Sequence, residues 1–290
     1  MVKYYPQKTL AGTVSCSGVG VHSGKEATLT IKPGDVNYGI RFFRIDLPGT
    51  PAIQALFNNV VDTSLATVIG SDGVIISTIE HLMATFTGLG IDNAIVELNS
   101  YEMPIMDGSA AEFSAAITKV GILEQNQPKC FIVVNKPIKL GDSNKFVEII
   151  PSSIFKITCS IEFKHRLIGK QSYNIEVIDK VFNKEISGAR TFGFFHEVEY
   201  LKRFGLAKGG SLENAVVIDN DKILNENGLR FPDEFVRHKL LDCIGDFSLL
   251  GMPLLGHIYA HKSGHAFNHA FLKEIFLQKE CWETKPMPIT

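Results

Sequence analysis

The sequence has few of the residues and patterns that mark several common protein classes. It contains one Trp, and its five cysteines include no Cys-x-x-Cys pair. An odd number of cysteines without paired spacing argues against a disulfide framework and against a cysteine-bound zinc knuckle. We therefore expect a protein of a reducing compartment and predict a cytoplasmic location.

Long apolar runs and an excess of one charge are missing as well. The apolar stretch at residues 249–259 is short and is broken by glycine and proline, whereas a membrane span needs roughly 18–20 apolar residues. The opening residues contain no apolar signal core. With 29 basic and 31 acidic residues the net charge is -2, so nucleic acid is not an expected partner. We expect a monomer without a membrane span, for which peripheral membrane contact stays open.

Familiar nucleotide-binding and hydrolase motifs are also absent. The sequence has no P-loop, no Rossmann glycine pattern on a βαβ unit and no Gly-x-Ser-x-Gly elbow. Helical periodicity predicts helices at residues 77–87, 110–120 and 235–250, each followed by a glycine. Apolar and alternating segments predict strands at residues 40–45, 93–98, 130–134, 146–150, 154–161 and 254–260.

The chain divides into two halves of similar pattern. The polar, proline-containing segment 124–129 predicts a boundary, which gives domains at residues 1–126 and 127–290. Each half has several strands, then a helix that begins near a His, then Gly and a further strand, which indicates a weak internal duplication. We therefore predict an α+β fold of two similar two-layer sandwiches, with a site in the cleft between them.

The strongest local signal for chemistry is His238-Lys-Leu-Leu-Asp242. Helix positions four apart lie on one face, so the imidazole and the carboxylate can reach one cation. Asp246, one turn further on, can orient another side chain from behind. Taken alone, such a pair is more often a solvated pair on a helix surface.

Glu80 and His81, also near a helix start, offer a third ligand and a carboxylate beside it. A Glu next to a zinc-binding His can serve as a general base. A rival interpretation is that residues 77–80, Ser-Thr-Ile-Glu, form a capping box in which Glu80 reaches back to the amide of Ser77. The local sequence favours neither interpretation.

Two further segments carry candidate side chains. In Lys262-Ser-Gly-His265 the glycine would allow a tight turn that aims His265 into a cleft, where Asp246 can keep it protonated. In the segment 187–194, Thr191 can donate to an oxyanion, and Phe192 and Phe194 can stack on a ring. An exposed loop histidine and an ordinary turn with two core phenylalanines are the plain alternatives.

Five separated motifs together resemble one enzyme family. They are Ser77-Thr-Ile-Glu-His-Leu-Met-Ala84, Met103-Pro-Ile-Met-Asp-Gly-Ser109, Ala189-Arg-Thr-Phe-Gly193, the segment 231–246, and Lys262-Ser-Gly-His265. In this order they closely resemble the UDP-3-O-acyl-N-acetylglucosamine deacetylases, which perform the committed step of lipid A synthesis in Gram-negative bacteria. The resemblance covers about residues 9–279.

The resemblance implies two α+β sandwiches whose helices face each other, and a zinc-dependent hydrolase of an acylated UDP-sugar. It implies one Zn²⁺ per chain on His81, His238 and Asp242. It further implies roles in catalysis: Glu80 as the base, His265 as the acid with Asp246 behind it, and Thr191 at the oxyanion.

Substrate contacts are implied in the same way. Lys239 and Phe192 would contact the sugar nucleotide, Lys145 and Phe163 would bind its UDP portion, and His22 matches a family position beside a glycine-rich turn. Glu197 departs from the pattern, because related enzymes often have Asp there, and its role stays open.

An insert at about residues 192–222 is expected to form a passage for the acyl chain. Residues 194–204 predict an amphipathic helix with Phe194, Val198, Leu201 and Phe204 on one side, and residues 215–218, which include Val217, predict a short strand. Two other functions are alternatives: a different zinc amidase, and a catalytically silent sugar-nucleotide binding module.

Overall fold

The computed structural model describes residues 2–289 as mixed helices and strands. Within that range the helices are α1 (Glu80–Leu89), α2 (Ala111–Val120), α3 (Asp179–Val181, continued by a π-helical turn at Phe182–Ile186), α4 (Phe195–Arg203), α5 (Glu234–Phe247) and α6 (His265–Leu277). None of these helices is both long and apolar enough to cross a membrane.

In the first half of the chain, the described residues form ten strands. They are β1 (Pro6–Leu10), β2 (Val14–Val19), β3 (Glu26–Pro33), β4 (Ile40–Arg44), β5 (Ala52–Gln54), β6 (Val60–Asp62), β7 (Val68–Ser71), β8 (Val74–Ile76), β9 (Ala94–Leu98) and β10 (Ile122–Pro128). Five of them form a sheet in the order β2-β3-β9-β4-β5, and β6, β7 and β8 form a smaller one.

The second half supplies the remaining strands of the described chain. They are β11 (Cys130–Val134), β12 (Ile138–Gly141), β13 (Phe146–Ile150), β14 (Phe155–Glu162), β15 (Lys170–Glu176), β16 (Phe192–Phe194), β17 (Val216–Asp219), β18 (Lys222–Ile223), β19 (Leu254–His261) and β20 (Trp282–Pro286). A seven-stranded sheet contains all of these except β16, β17 and β18, which pair among themselves.

The two larger sheets share one strand order. In the first half, β9 lies antiparallel to β3 and parallel to β4, with β2 and β5 outside them. In the second half, β19 lies antiparallel to β13 and parallel to β14, with β12 and β15 outside them. The shared order confirms the internal duplication and the α+β class that the sequence predicted.

Each sheet buries one face under its helices. The alternation of β3 places Ala27, Leu29 and Ile31 in the core, as expected for a strand with one solvated face. Helices α1 and α5, one from each half, pack against each other. Nearly every residue of α1 is buried, and its apolar side chains belong to the same core as those of the first sheet and of α5.

Several predicted elements differ from the structure at their ends or in kind. The predicted helix at residues 77–87 begins only at Glu80. All of the polar boundary segment except Lys129 lies within strand β10, which pairs with β1. Helix α6 was not predicted, because its N-cap is Gly264, which has no side chain to signal a helix start. Gly264 is also extended, with φ of -160°, so the tight turn expected there is wrong. The left-handed residue is Lys262, with φ of 53°.

Candidate active site

Helices α1 and α5 bring together the three predicted metal ligands. One donor atom each from His81, His238 and Asp242 lies within 4.8 Å of the others, and all three residues are buried. Nε2 of His238 is 3.4 Å from Oδ1 of Asp242, and Nε2 of His81 is 3.8 Å from the same oxygen. The solvated-pair interpretation of His238 and Asp242 is therefore wrong.

The close approach of the two helices depends on Gly245. A Cβ atom at this position would lie 2.1 Å from the carbonyl oxygen of Glu80, so any side chain there would force α5 away from α1. The helix start that carries Glu80 and His81 is thereby held against the turn of α5 that follows Asp242.

The donor set fits a divalent cation. Nδ1 of His238 lies 3.1 Å from the carbonyl oxygen of Ala189; as the donor of that bond it leaves Nε2 free as a ligand. Nδ1 of His81 is buried without a hydrogen-bond partner in the described chain. Burial and the neighbouring His238 lower the pKa of His81 to about 3, so its ring is neutral, as a metal ligand must be.

The remaining predicted ligand, Asp242, is ionised. Burial alone would raise the pKa of Asp242, but the nearby His238 and Lys239 hold it well below its usual range. Nζ of Lys239 donates to Oδ2 of Asp242 at 2.9 Å. Two imidazoles and one carboxylate form the nitrogen and oxygen set that zinc and other borderline divalent ions accept.

The carboxylate of Glu80 lies beside this cluster and does not cap its helix. Its Oε2 accepts the backbone N–H of Thr67 at 3.0 Å, while the N–H of Ser77 donates to the carbonyl of Tyr101 at 2.8 Å. The capping-box interpretation is therefore wrong. Thr78 has φ of 64°, so the backbone between Ser77 and Glu80 does not have the conformation that a capping box needs. Burial raises the pKa of Glu80 to about 7, against the attraction of His265.

His265 and Asp246 form a hydrogen-bonded pair on the other side of Glu80. Nδ1 of His265 lies 2.9 Å from Oδ2 of Asp246, and its Nε2 lies 3.9 Å from Oε1 of Glu80. Burial disfavours the charged ring, but Asp246 overcomes this and raises the pKa of His265 to about 10. Asn268 donates a further hydrogen bond to Oδ2 of Asp246 at 2.8 Å.

Thr191 is held by the motif at residues 103–109. Its backbone N–H donates to the carbonyl of Gly108 at 2.8 Å, and its carbonyl accepts the N–H of Val216 at 2.7 Å. Gly108 has φ of 83°, and a Cβ there would lie 1.9 Å from the carbonyl oxygen of Asn214. Only glycine fits at this junction, which explains the Asp-Gly-Ser sequence.

These side chains line one cavity of about 420 Å³. Beside the metal cluster, Glu80, Thr191 and His265, the predicted substrate residues that line it are His22, Phe192, Val198, Val217 and Lys239. The turn with His22 is anchored by buried Glu102, whose Oε1 accepts the backbone N–H of His22 at 2.8 Å. Asp246 lies behind His265, to which it is hydrogen-bonded, and does not itself line the cavity.

Three predicted substrate residues do not line this cavity. Nζ of Lys145 lies 4.8 Å from the ring centroid of Phe267. Phe163 packs edge-on against Phe192, with ring centroids 5.9 Å apart, and also contacts Phe194 at 6.4 Å. Phe194 belongs to strand β16 and not to the helix.

The insert has the predicted helix and strand, but the residues of the helix that face the cavity differ in part from the prediction. Val198 and Leu201 of α4 line the cavity, but Phe204 is 66% exposed. Glu197, left open by the sequence, also lines it, as do several apolar residues that were not predicted: Phe195, Ala207, Leu212, Ala215 and Leu224. Thr67 was missed as well; nothing in its local sequence separates it from an ordinary loop threonine.

Comparison with known proteins identifies the family. A sequence model described as LpxC, UDP-3-O-acyl N-acetylglycosamine deacetylase, matches residues 7–277. A UDP-3-O-acyl-N-acetylglucosamine deacetylase of Myxococcus xanthus (strain DK1622) is 51% identical over 282 residues, which cover 97% of this chain and 90% of that protein. A protein of the same name from Syntrophus aciditrophicus (strain SB) is 47% identical over 280 residues, covering 97% and 89%. This chain belongs to the LpxC family of deacetylases.

Proposed function

We propose that this chain is a zinc-dependent hydrolase that removes the N-acetyl group from UDP-3-O-acyl-N-acetylglucosamine in lipid A biosynthesis. The products are acetate and UDP-3-O-acyl-glucosamine. The observation that carries the proposal is the cavity in which Glu80 and His265 lie beside the cluster of His81, His238 and Asp242. A carboxylate and an imidazolium beside a metal site are the groups that metal-assisted amide hydrolysis requires.

We assign one Zn²⁺ per chain to these three ligands. When bound, such an ion supplies Lewis acidity, which lowers the pKa of water and polarises a carbonyl oxygen. Glu80, whose pKa of about 7 suits a base near neutral pH, accepts the proton of the attacking water. Its Oε2 is held by Thr67, so Oε1 is the oxygen available for that proton.

The remaining residues act on the substrate amide. The Thr191 hydroxyl donates to the oxygen on which negative charge develops. His265, kept protonated by Asp246, gives the proton of Nε2 to the leaving nitrogen of the glucosamine. The C–N bond breaks, the water oxygen stays with the acetyl group as acetate, and the sugar keeps a free amine.

The cavity residues also offer contacts for each part of an acylated sugar nucleotide. Lys239 can meet phosphate charge and Phe192 can pack on the sugar, with His22 beside the glycine-rich turn. The more distant Lys145 and Phe163 are assigned to the UDP portion. Val198 of α4 and Val217 of β17 both line the cavity and are assigned to a passage for the acyl chain. Phe194, which contacts Phe163, is assigned to the substrate site beside it.

The setting of the reaction is also part of the proposal. We propose a cytoplasmic monomer with two domains, at residues 1–126 and 127–290. Its substrate is a nucleotide-linked amphiphile. Peripheral contact with a membrane would bring the enzyme close to the acylated sugar.

A substrate panel tests this function against its rivals. Acetate release is measured from the acylated UDP-sugar, from N-acetylglucosamine without nucleotide, and from an N-acetylated peptide. We expect turnover of the first substrate alone. Efficient turnover of the unlinked sugar or the peptide would indicate a different amidase, and binding of the UDP-sugar without acetate release would indicate a silent binding module.

A further inference from the structure

Thr67 touches both halves of the catalytic apparatus. This residue of the first half is 3% exposed. Its backbone N–H donates to Oε2 of Glu80 at 3.0 Å, and its hydroxyl donates to Oδ1 of Asp246, in the second half, at 2.6 Å. Its Oγ1 also lies 3.3 Å from Nδ1 of His265. Thr67 is therefore in hydrogen-bond contact with Glu80, Asp246 and His265.

We propose that Thr67 is a positioning residue that aligns the base Glu80 with the acid pair of His265 and Asp246 across the two halves. The inference rests on the proposed function, for which these three residues carry the proton transfers. Thr67 does not touch the reacting atoms and acts through its neighbours.

The position of the hydroxyl proton determines which hydrogen bond Thr67 donates and which it accepts. A threonine has one hydroxyl proton, and the shorter contact gives it to Asp246. The oxygen can then only accept a hydrogen bond from Nδ1 of His265. Nδ1–H of His265 therefore faces two acceptors, the Asp246 carboxylate and Oγ1 of Thr67. These acceptors hold a proton on Nδ1, so Nε2 is the nitrogen that gives its proton to the substrate.

The backbone and the hydroxyl of Thr67 have separable tasks. The carbonyl accepts the N–H groups of Thr78 at 3.1 Å and Ile79 at 3.3 Å, at the start of α1. The N–H holds Glu80. A substitution with valine has nearly the same shape and keeps all three backbone bonds, so it removes only the hydroxyl and its link to Asp246 and His265.

A double-mutant cycle tests the proposal on the zinc-loaded full chain. The variants are Thr67→Val, Asp246→Ala and both together, assayed for acetate release from the acylated UDP-sugar. We expect Thr67→Val to lower kcat about tenfold or more with KM changed less than threefold. In the Asp246→Ala background the same change should cost less than twofold, because the partner of the hydroxyl is gone. Thr67→Ser should recover most of the lost kcat.

The controls separate this role from a contribution to folding alone. Zinc content and the thermal unfolding midpoint of Thr67→Val are measured beside the rates. An equal loss of kcat in both backgrounds, or failure of Thr67→Ser to restore it, would overturn the proposal. A Thr67→Val variant with normal kcat would do the same while the proposed function stands. A wild-type chain that releases no acetate would overturn the proposed function, and this inference with it.

Discussion

Gly245 of α5 lies against the backbone of Glu80, the first residue of α1, so closely that a Cβ would sit 2.1 Å from the Glu80 carbonyl oxygen. The contact joins the two halves at the helix turns that carry the proposed base and the proposed metal ligands. We predict that Gly245→Ala destabilises the protein by about 1–3 kcal/mol, the usual cost of overpacking a core, and weakens metal binding. Thermal unfolding and metal titration measure both effects.

A matched control is available at Gly264. It is extended, and a Cβ there would meet nothing within 4 Å, so Gly264→Ala should bind metal normally and lose less stability than Gly245→Ala, since only the small cost of alanine at the N-cap of α6 applies. Equal behaviour of the two alanine variants would show that the helix contact does not hold the site together.

Glu80→Gln should keep the metal and lose the base. The side-chain amide has nearly the same shape as the carboxylate but cannot take up a proton at neutral pH. We predict a loss of roughly 10²–10⁴-fold in kcat, the usual contribution of a general base, at unchanged zinc content. Near-normal turnover of this variant would show that Glu80 is not the general base.

Asp246→Asn should change the pH dependence through His265. The attraction of Asp246 raises the pKa of His265 to about 10 against the effect of burial, and the acid must be protonated to act. Activity is therefore lost as pH rises through that pKa. Without the charge of Asp246 the pKa falls, so the basic limb of the kcat/KM profile should move to lower pH. A basic limb at the wild-type position would contradict the pairing.

The acyl passage predicts a substrate-dependent defect. Val217 is 8% exposed on strand β17 and lines the cavity, so Val217→Glu places a charge where the chain would lie. Burying each methylene contributes about 0.8 kcal/mol, so we predict a loss of orders of magnitude in kcat/KM with the acylated substrate and little change with UDP-N-acetylglucosamine. Val198→Glu should behave in the same way.

Tyr200 provides the control on the same insert. It is 61% exposed on α4 and does not line the cavity, so Tyr200→Glu should leave both efficiencies near the wild-type values. A wild-type enzyme that is equally efficient on acylated and unacylated substrates would argue against the passage altogether.

The parts of the site that are local in sequence could be predicted from it. His238 and Asp242 are one helical turn apart, and Glu80 and His81 are neighbours, so periodicity alone places each pair on a helix. The similarity of the two halves follows from the repeated pattern of strand, helix, glycine and strand. The matching strand orders of the two larger sheets confirm it.

What could not be predicted depends on contacts between residues far apart in the chain. Thr67 and Asp246 are separated by 179 positions, and no local pattern indicates their hydrogen bond. Helix α6 begins after a glycine that gives no capping signal. The capping box failed because Thr78 adopts a left-handed conformation that propensity does not favour for threonine, and tertiary contacts impose it.

Chelation followed by reconstitution tests the central claim most directly. Acetate release from UDP-3-O-acyl-N-acetylglucosamine is measured on the purified chain, after removal of metal, and during titration with Zn²⁺. The account predicts that activity disappears with the metal and returns in full at one equivalent of Zn²⁺ per chain. Activity that survives complete removal of metal, or that needs a second equivalent, would contradict a single metal site on His81, His238 and Asp242.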